Sequence, residues 1–406
     1  MKQKIILHLD MNSYFASVEQ QANPFLRGKS VGVCAYLSPR GTIIASSVEA
    51  KAKGIRTACR VEDAKLLDPA VVLVENEPAK YRTVTARIFS ILAEYSDNME
   101  PYSIDEAFVD IGCAAATFED ASRIAEEIRR RILDEVGEWL RCSIGISYTK
   151  FLAKFAGDTA PKGGTRVITP ETLPNFLDCP VTEAWGIARG FERRLAALGI
   201  RTLNELRRAD ASLLKRRLGW HGYYLWSNVN GIELSLVGKD SAPPKSIGHS
   251  YCLPRAASDP ATTEKIIYKL CEKTGRRLRS RGFEAGHCSF YCSLIGGGHL
   301  GRSITLSESL FTTEEIFDCV MGLYREAGIE SPIRMAAMSV SRLSPVSGQL
   351  SLFYDKTAKR SVSAALDRIN EKYGEYTVCR GAMFGIDSFA RDRIGFRKTV
   401  SFSDQV

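Results

Sequence analysis

The sequence predicts an α+β protein built from several modules. Short β-branched runs alternate with amphipathic helices through residue 170 or so, a helical stretch occupies about 171–235, and a polar, proline-containing linker near 236–247 leads into a second strand-and-helix series. At 406 residues the chain is also longer than one ordinary domain.

The elements follow in order. "KIILHLD", Lys4 to Asp10, is an apolar strand, and Asn12 or Ser13 can cap a helix beginning in "MNSYFASVEQQ". Asp10 therefore stands at a strand end beside a helix N-terminus, where free amide groups can hold phosphate. "SVGVCAYL" and "GTIIASS" read as strands and "SVEAKAKG" as a helix stopped by Gly54, so that residues about 12–75 form a small mixed insert. Val84, Ile88, Ile91, Leu92 and Tyr95 share one face of the next helix. "MEPYSI" and "AFVDIG" pair as hairpin arms with Asp105 and Glu106 at the bend, and a helix, the strand "RCSIGISYT" and the helix "KFLAKFAGDTA" follow. Beyond the linker the order is strand, helix, two strands, helix, strand. "SPVSGQLSLFYD" and a helix closed by Gly374 come last, and the residues after that have no clear periodicity.

Bulk properties narrow the function. No apolar run approaches the ~20 residues of a membrane span, and the N-terminus does not read as a signal peptide. Eleven cysteines without paired spacing fit a reduced, cytoplasmic protein. Cys288 and Cys292 beside His287 read as inward positions of a strand rather than as a metal site. The first 170 residues hold 22 basic and 22 acidic side chains. The rest hold 33 and 25, and so carry the whole net charge of +8. A neutral half with clustered acids beside a basic half suits an enzyme that grips a polyanion.

Three carboxylates carry the chemistry. Adjacent acids repel and burial raises the cost, so Asp105 and Glu106 either face water at a turn or are offset by a cation. If their hairpin neighbours the first strand, Asp10 joins them. A carboxylate trio with few histidines suits Mg²⁺ rather than zinc, and two such ions about 4 Å apart can clamp an in-line displacement at phosphorus. Gly186 and Gly190 flank a turn resembling a helix-hairpin-helix, whose amides can meet a DNA phosphate, or an ordinary helical hairpin with glycine caps. Arg276, Arg277 and Arg279, with Arg281, either bind DNA phosphates or complement a helix C-terminus.

"LDMNSYFASVEQ", "ASSVEAKAKGI", "YSIDEAFVDI" and "SIGISYTKFLAKFAGDTAPKGG" together resemble the Y-family of DNA polymerases, over residues 4–345 and in order. The resemblance implies a right hand: palm (1–11 and 76–170), fingers (12–75), helical thumb (171–235), linker (236–247), little finger (248–345) and a C-terminal tail (346–406). It implies template-directed, low-fidelity translesion synthesis on primer-template DNA, with two Mg²⁺ ions held by Asp10, Asp105, Glu106 and the Met11 carbonyl. Among dNTP contacts it places Phe15 as a steric gate against a ribose hydroxyl, with Tyr14 beside it, and Ile44 and Ala58 over the nascent base pair.

The chain also departs from the family pattern. Asn12 replaces an acid that many relatives carry, and Val48 and Lys51 replace tyrosine and arginine. The lysine-proline order is inverted to Pro161-Lys162. Lys51 and Lys162, with Lys150 and Lys154, are candidates for the triphosphate. These substitutions resemble the polymerase V catalytic subunit more than polymerase IV, and an accessory subunit would then be possible. "QLSLF", with Gln349, Leu350, Leu352 and Phe353, resembles the peptide that docks on the bacterial sliding clamp. The alternatives are a non-catalytic, clamp-tethered DNA-binding scaffold or another two-metal phosphoryl transferase.

Overall fold

The protein is described by a computed structural model covering residues 4–238, 243–329, 331–346, 356–379 and 381–383. Two compact units divide near residue 241. In the first, β1 (Ile6–Met11) leads into α1 (Tyr14–Ala22), then β2 (Val31–Cys34), β3 (Ile43–Ser46), α2 (Val48–Ala52), α3 (Val61–Leu67), β4 (Val72–Glu75) and α4 (Pro78–Ala93). There follow β5 (Met99–Pro101), β6 (Glu106–Asp110), α5 (Phe118–Arg131), β7 (Cys142–Ser147), α6 (Lys150–Thr159) and β8 (Thr165–Ile168). The helices α7 (Arg189–Ala196), α8 (Leu203–Arg208) and α9 (Ala211–Val229) complete the unit.

β1 lies at the centre of a five-stranded sheet of order β5-β6-β1-β7-β8, antiparallel to both neighbours. Side chains alternate across a strand, so β1 faces two ways. Ile5, Leu7, Leu9 and Met11 enter a core completed by Ile88, Ile91 and Leu92 of α4 and Ala121, Ala125 and Ile128 of α5. Ile6, His8 and Asp10 fall on the other face, where Ile6 packs with Phe108 of β6 and Ala153 of α6. α6 lies close on that face, since a Cβ on Gly145 of β7 would meet the Ala153 carbonyl at 2.0 Å. Every apolar position of β1 is buried, so slipping its register by one residue would drive His8 and Asp10 into the core. The register thus fixes the height of Asp10.

A second, three-stranded sheet of order β3-β2-β4 carries α2 and α3. Sequence reading missed α3 and β4, although "VVLVE" has the β-branched content of a strand, and β4 pairs parallel to β2. The helical region after β8 shares a core with α6 through Phe151, Leu152 and Phe155.

The second unit is a four-stranded sheet of order β11-β10-β12-β9, from β9 (Ser246–Ala257), β10 (Phe283–Leu294), β11 (His299–Leu310) and β12 (Ile333–Pro345). Helices α10 (Pro260–Ser280) and α11 (Thr313–Glu326) pack on it. Cys288 and Cys292 are buried on β10, as the alternation predicted, while His287 bonds Thr305 at 3.0 Å. α12 (Lys356–Tyr373) is followed by a turn that folds back on α10. Arg279 grips Asp367 through two nitrogens at 2.6 and 2.8 Å, Arg276 pairs with Glu375, Tyr376 donates to Glu272 at 3.0 Å, and Arg360 of α12 reaches Glu284 at 2.8 Å.

Candidate active site

In the β1–β6 register Asp10 stands directly opposite Glu106. Opposed antiparallel residues share a face with Cβ atoms about 5 Å apart. The hairpin bend delivers Asp105 beside them: the Tyr102 and Ser103 amides donate to the Glu106 carbonyl at 2.9 and 3.1 Å, and the Met11 amide donates to the Asp105 carbonyl at 3.0 Å. Ser103 completes the turn, its hydroxyl donating to the Asp105 carboxylate and accepting from the Asp105 amide. The three acids expected from sequence thus come together where β1 ends and β6 begins. The Met11 side chain packs into the core on the opposite face.

The electrostatics show the cost. Burial, then repulsion by Asp105 and Glu106, raises the Asp10 carboxyl to about 7, and burial also lifts Asp105. Burial pushes Glu106 upward as well, but the hydrogen bond from His8 and the charge of Lys154 outweigh it and hold it at about 2. Lys154 donates to Glu106 Oε2 at 2.8 Å and to Asp158 at 3.4 Å. His8, fully buried, reaches the same Oε2 at 3.1 Å, and burial keeps its imidazole below the ordinary histidine value.

A raised native pKa means that the ionised form opposes folding. For Asp10 this destabilisation is absent below about pH 4, grows toward pH 7 and is complete above it. Asp10→Asn should therefore stabilise the metal-free protein at pH 8 by about 2–4 kcal/mol, a gain of several degrees in Tm, and much less at pH 5. Melting in EDTA at both pH values checks this.

Among the described residues no three His, Cys, Asp or Glu side chains close into a ready-made metal cage. A hard cation such as Mg²⁺ does not need one, because water and substrate phosphates complete its shell around one or two carboxylates. An all-oxygen donor set with excess negative charge fits such an ion.

Beside the acids stand the N-terminus of α1 and Lys51 of α2. Ser13 caps α1 in a left-handed conformation (φ 51°) with no side-chain bond to the first turn, which leaves those amides open to an anion. Lys51 Nζ donates to the Ser13 hydroxyl at 2.7 Å. Local burial, then the like charge of Lys162, pulls the Lys51 ammonium below the usual lysine value, with Asp10 pulling the other way. Lys51, Lys162 and the carboxylates thus share one electrostatic neighbourhood. Asn12 accepts from the Gly163 amide at 2.8 Å and donates to Ser143 at 3.0 Å, tying the turn that carries Lys162 to the end of β1. Lys150 and Lys154 instead pair with Glu100 and Glu106.

Phe15 is half-buried and stacks on Tyr81, with ring centroids 4.5 Å apart and planes at 28°. Tyr14 is buried, and its hydroxyl binds the Tyr81 carbonyl at 2.8 Å and Thr85 at 2.7 Å, so its side chain braces α4 rather than facing a substrate. Ile44 is nearly buried on β3, whereas Ala58 is exposed in a left-handed conformation (φ 72°).

Of the expected DNA contacts, Gly186 sits in a positive-φ turn before α7, its carbonyl 3.3 Å from His221, and Gly190 lies in the first turn of α7 with open space around its Cα. Arg276 and Arg279 are bound by Glu375 and Asp367, and Arg277 donates to the Gly248 carbonyl at 3.3 Å. Arg276 and Arg279 thereby tie α12 and the turn after it to α10. Gln349, Leu350, Leu352 and Phe353 lie outside the described residues.

Comparison with known proteins decides the family. Residues 9–158 match the impB/mucB/samB family, and residues 244–352 match its C-terminal domain. A DNA polymerase IV of Pelotomaculum thermopropionicum is 33% identical over 398 residues, covering 97% of this chain and 98% of that one. The chain belongs to the Y-family of DNA polymerases. DNA polymerase IV 2 of Bacillus subtilis is 32% identical over 393 residues, 94% of this chain and 95% of the relative. These relatives carry the name polymerase IV, not polymerase V. A solved Y-family DNA polymerase chimera of Dbh and Dpo4 superposes with a TM-score of 0.74 at 23% identity, over 84% of this chain and 100% of that one. This Y-family chain therefore has the right-hand fold with a little-finger-like C-terminal unit, and among its described residues no helix is long and apolar enough to cross a membrane.

Proposed function

We propose that the protein is a template-directed, metal-dependent DNA polymerase that performs translesion synthesis, adding dNTPs to a primer 3′-OH at the Asp10, Asp105 and Glu106 site. The observation carrying this reading is the β1–β6 register, which sets Asp10 against Glu106 and hangs Asp105 from Met11. In this reading the first unit supplies palm (to 11 and 76–170), fingers (12–75) and thumb (171–235). The linker spans 236–247, the little finger 248–345, and the tail follows. A scaffold without chemistry would have no need of three acids crowded together at the cost of raising Asp10 and Asp105.

Asp10, Asp105 and Glu106, with the Met11 carbonyl, would hold two Mg²⁺ ions. When bound, these would supply Lewis acidity toward the attacking hydroxyl and neutralise charge on the triphosphate. The chain's own residues do the rest. The open first turn of α1, Lys51 and Lys162 hold the triphosphate. Phe15, backed by Tyr81, sets the sugar. Ile44 and Ala58 roof the base pair with small surfaces that leave room for a damaged template base. DNA is held by the glycine turn at 186–190 and by the open face of the second unit's four-stranded sheet. There Ser289 and Ser339 join at 2.8 Å and Tyr291 is exposed, giving short polar groups that let a backbone approach closely.

Primer extension on undamaged and lesion-bearing templates tests the reading. Lys51→Ala should raise KM for dNTP about tenfold with kcat little changed, the mark of lost ground-state binding. An unchanged KM would remove Lys51 from the triphosphate site. The Gln349–Phe353 peptide is proposed to dock a sliding clamp. Leu352→Ala with Phe353→Ala should abolish stimulation by the clamp and spare basal synthesis, as assayed with and without loaded clamp.

A further inference from the structure

Glu106 is held by more than its strand. Lys154 at 2.8 Å and His8 at 3.1 Å both reach Oε2. A carboxylate oxygen has two lone pairs, so these two donors fill Oε2 and leave Oε1 open. His8 is fully buried and its ring is fixed on three sides. It lies on the same sheet face as Asp10, two residues back on β1. It stands opposite Phe108 with ring centroids 4.6 Å apart. It also abuts Gly157 of α6, where an added Cβ would come within 3.0 Å of Nδ1. Among the described residues Nδ1 has no hydrogen-bond partner, while Nε2 faces a carboxylate that can only accept. The proton therefore belongs on Nε2, because the other tautomer would bury an unpaired N–H and set a lone pair against a carboxylate.

We propose that His8 is a positioning residue. Its Nε2–H, with the Lys154 ammonium, saturates Glu106 Oε2 and fixes the carboxylate so that Oε1 is presented to the divalent ion. The inference rests on the carboxylate site proposed above and extends it to the groups behind it. The donors matter because a carboxylate opposite Asp10 is repelled by its neighbours and would otherwise turn away from them. Groups that orient a ligand from behind typically change metal affinity 10–100-fold when removed.

His8→Leu removes the donor and keeps an apolar body, while His8→Gln places an amide N–H near the position of Nε2. Mn²⁺ binding is followed by electron paramagnetic resonance on protein with primer-template DNA and a non-hydrolysable dNTP, beside thermal melting. His8→Leu should weaken Mn²⁺ binding about tenfold or more, and His8→Gln should restore it to within about threefold. Wild-type binding in His8→Leu overturns the proposal, as does equal loss in both variants at unchanged Tm. If His8→Leu does not fold, the glutamine variant decides alone: binding near wild type supports the proposal and a tenfold loss overturns it. Failure of wild-type protein to bind Mn²⁺ or extend primers would instead defeat the polymerase reading, so the two failures are separable.

Discussion

Asp105→Ala should lower kcat for primer extension by about 10⁴-fold, equivalent to about 5 kcal/mol of transition-state stabilisation. Asp105 is positioned by backbone bonds, its carbonyl to Met11 and its amide to Ser103, so the hairpin keeps its shape when the carboxylate is removed. The loss is therefore chemical rather than structural. Without Asp105 the trio loses an oxygen ligand that no neighbour replaces, since His8 and Lys154 occupy Glu106 Oε2 and leave it a single oxygen to offer. Affinity for primer-template DNA should hold or rise, because an acid beside a phosphate channel repels the backbone. Single-turnover extension and fluorescence anisotropy on one preparation check both halves. Activity within tenfold of wild type would contradict the assignment.

Phe15→Ala should cut discrimination against ribonucleotides by about 10²–10³-fold, or roughly 3–4 kcal/mol, while dNTP incorporation falls much less. A gate works only if it cannot retreat. Phe15 is backed by Tyr81, whose hydroxyl binds Glu19 at 2.7 Å and whose carbonyl accepts from Tyr14. Glu19 is held in turn by Lys80 at 2.9 Å. A ribose hydroxyl pressing on the ring would therefore meet a braced stack. Competing dATP and ATP on one template gives the ratio directly, and an unchanged ratio would show that Phe15 only packs α1 against α4.

The strand-end acid and the acidic hairpin were legible because strand alternation and turn placement are local. Their meeting was not, since it depends on β6 pairing with β1 in one register across about 95 intervening residues. For the same reason the sequence leaves His8 without a role and marks Lys154 only as a candidate for the triphosphate. A histidine at an inward position reads as core, and only the packing of α6 brings Lys154 to Glu106. The period of β1 did carry a signal, because His8 and Asp10 are two residues apart and must share a face. The burial of the Tyr14 side chain was not legible, because neighbouring helix positions diverge by about 100° and only the packing of α1 shows which of them enters the core. The α10 arginines were ambiguous in principle. Composition shows a cation, and only the fold shows that Asp367 and Glu375 are its neighbours.

The account stands on the three carboxylates forming one metal-binding centre with the incoming nucleotide. Titrating Mn²⁺ into protein carrying primer-template DNA and a non-hydrolysable dNTP tests that most directly, comparing wild type with an Asp10→Asn, Asp105→Asn, Glu106→Gln triple variant. The expected result is tight uptake of two ions by the wild type and none by the variant, with DNA affinity preserved. Equal Mn²⁺ uptake by both would contradict the account.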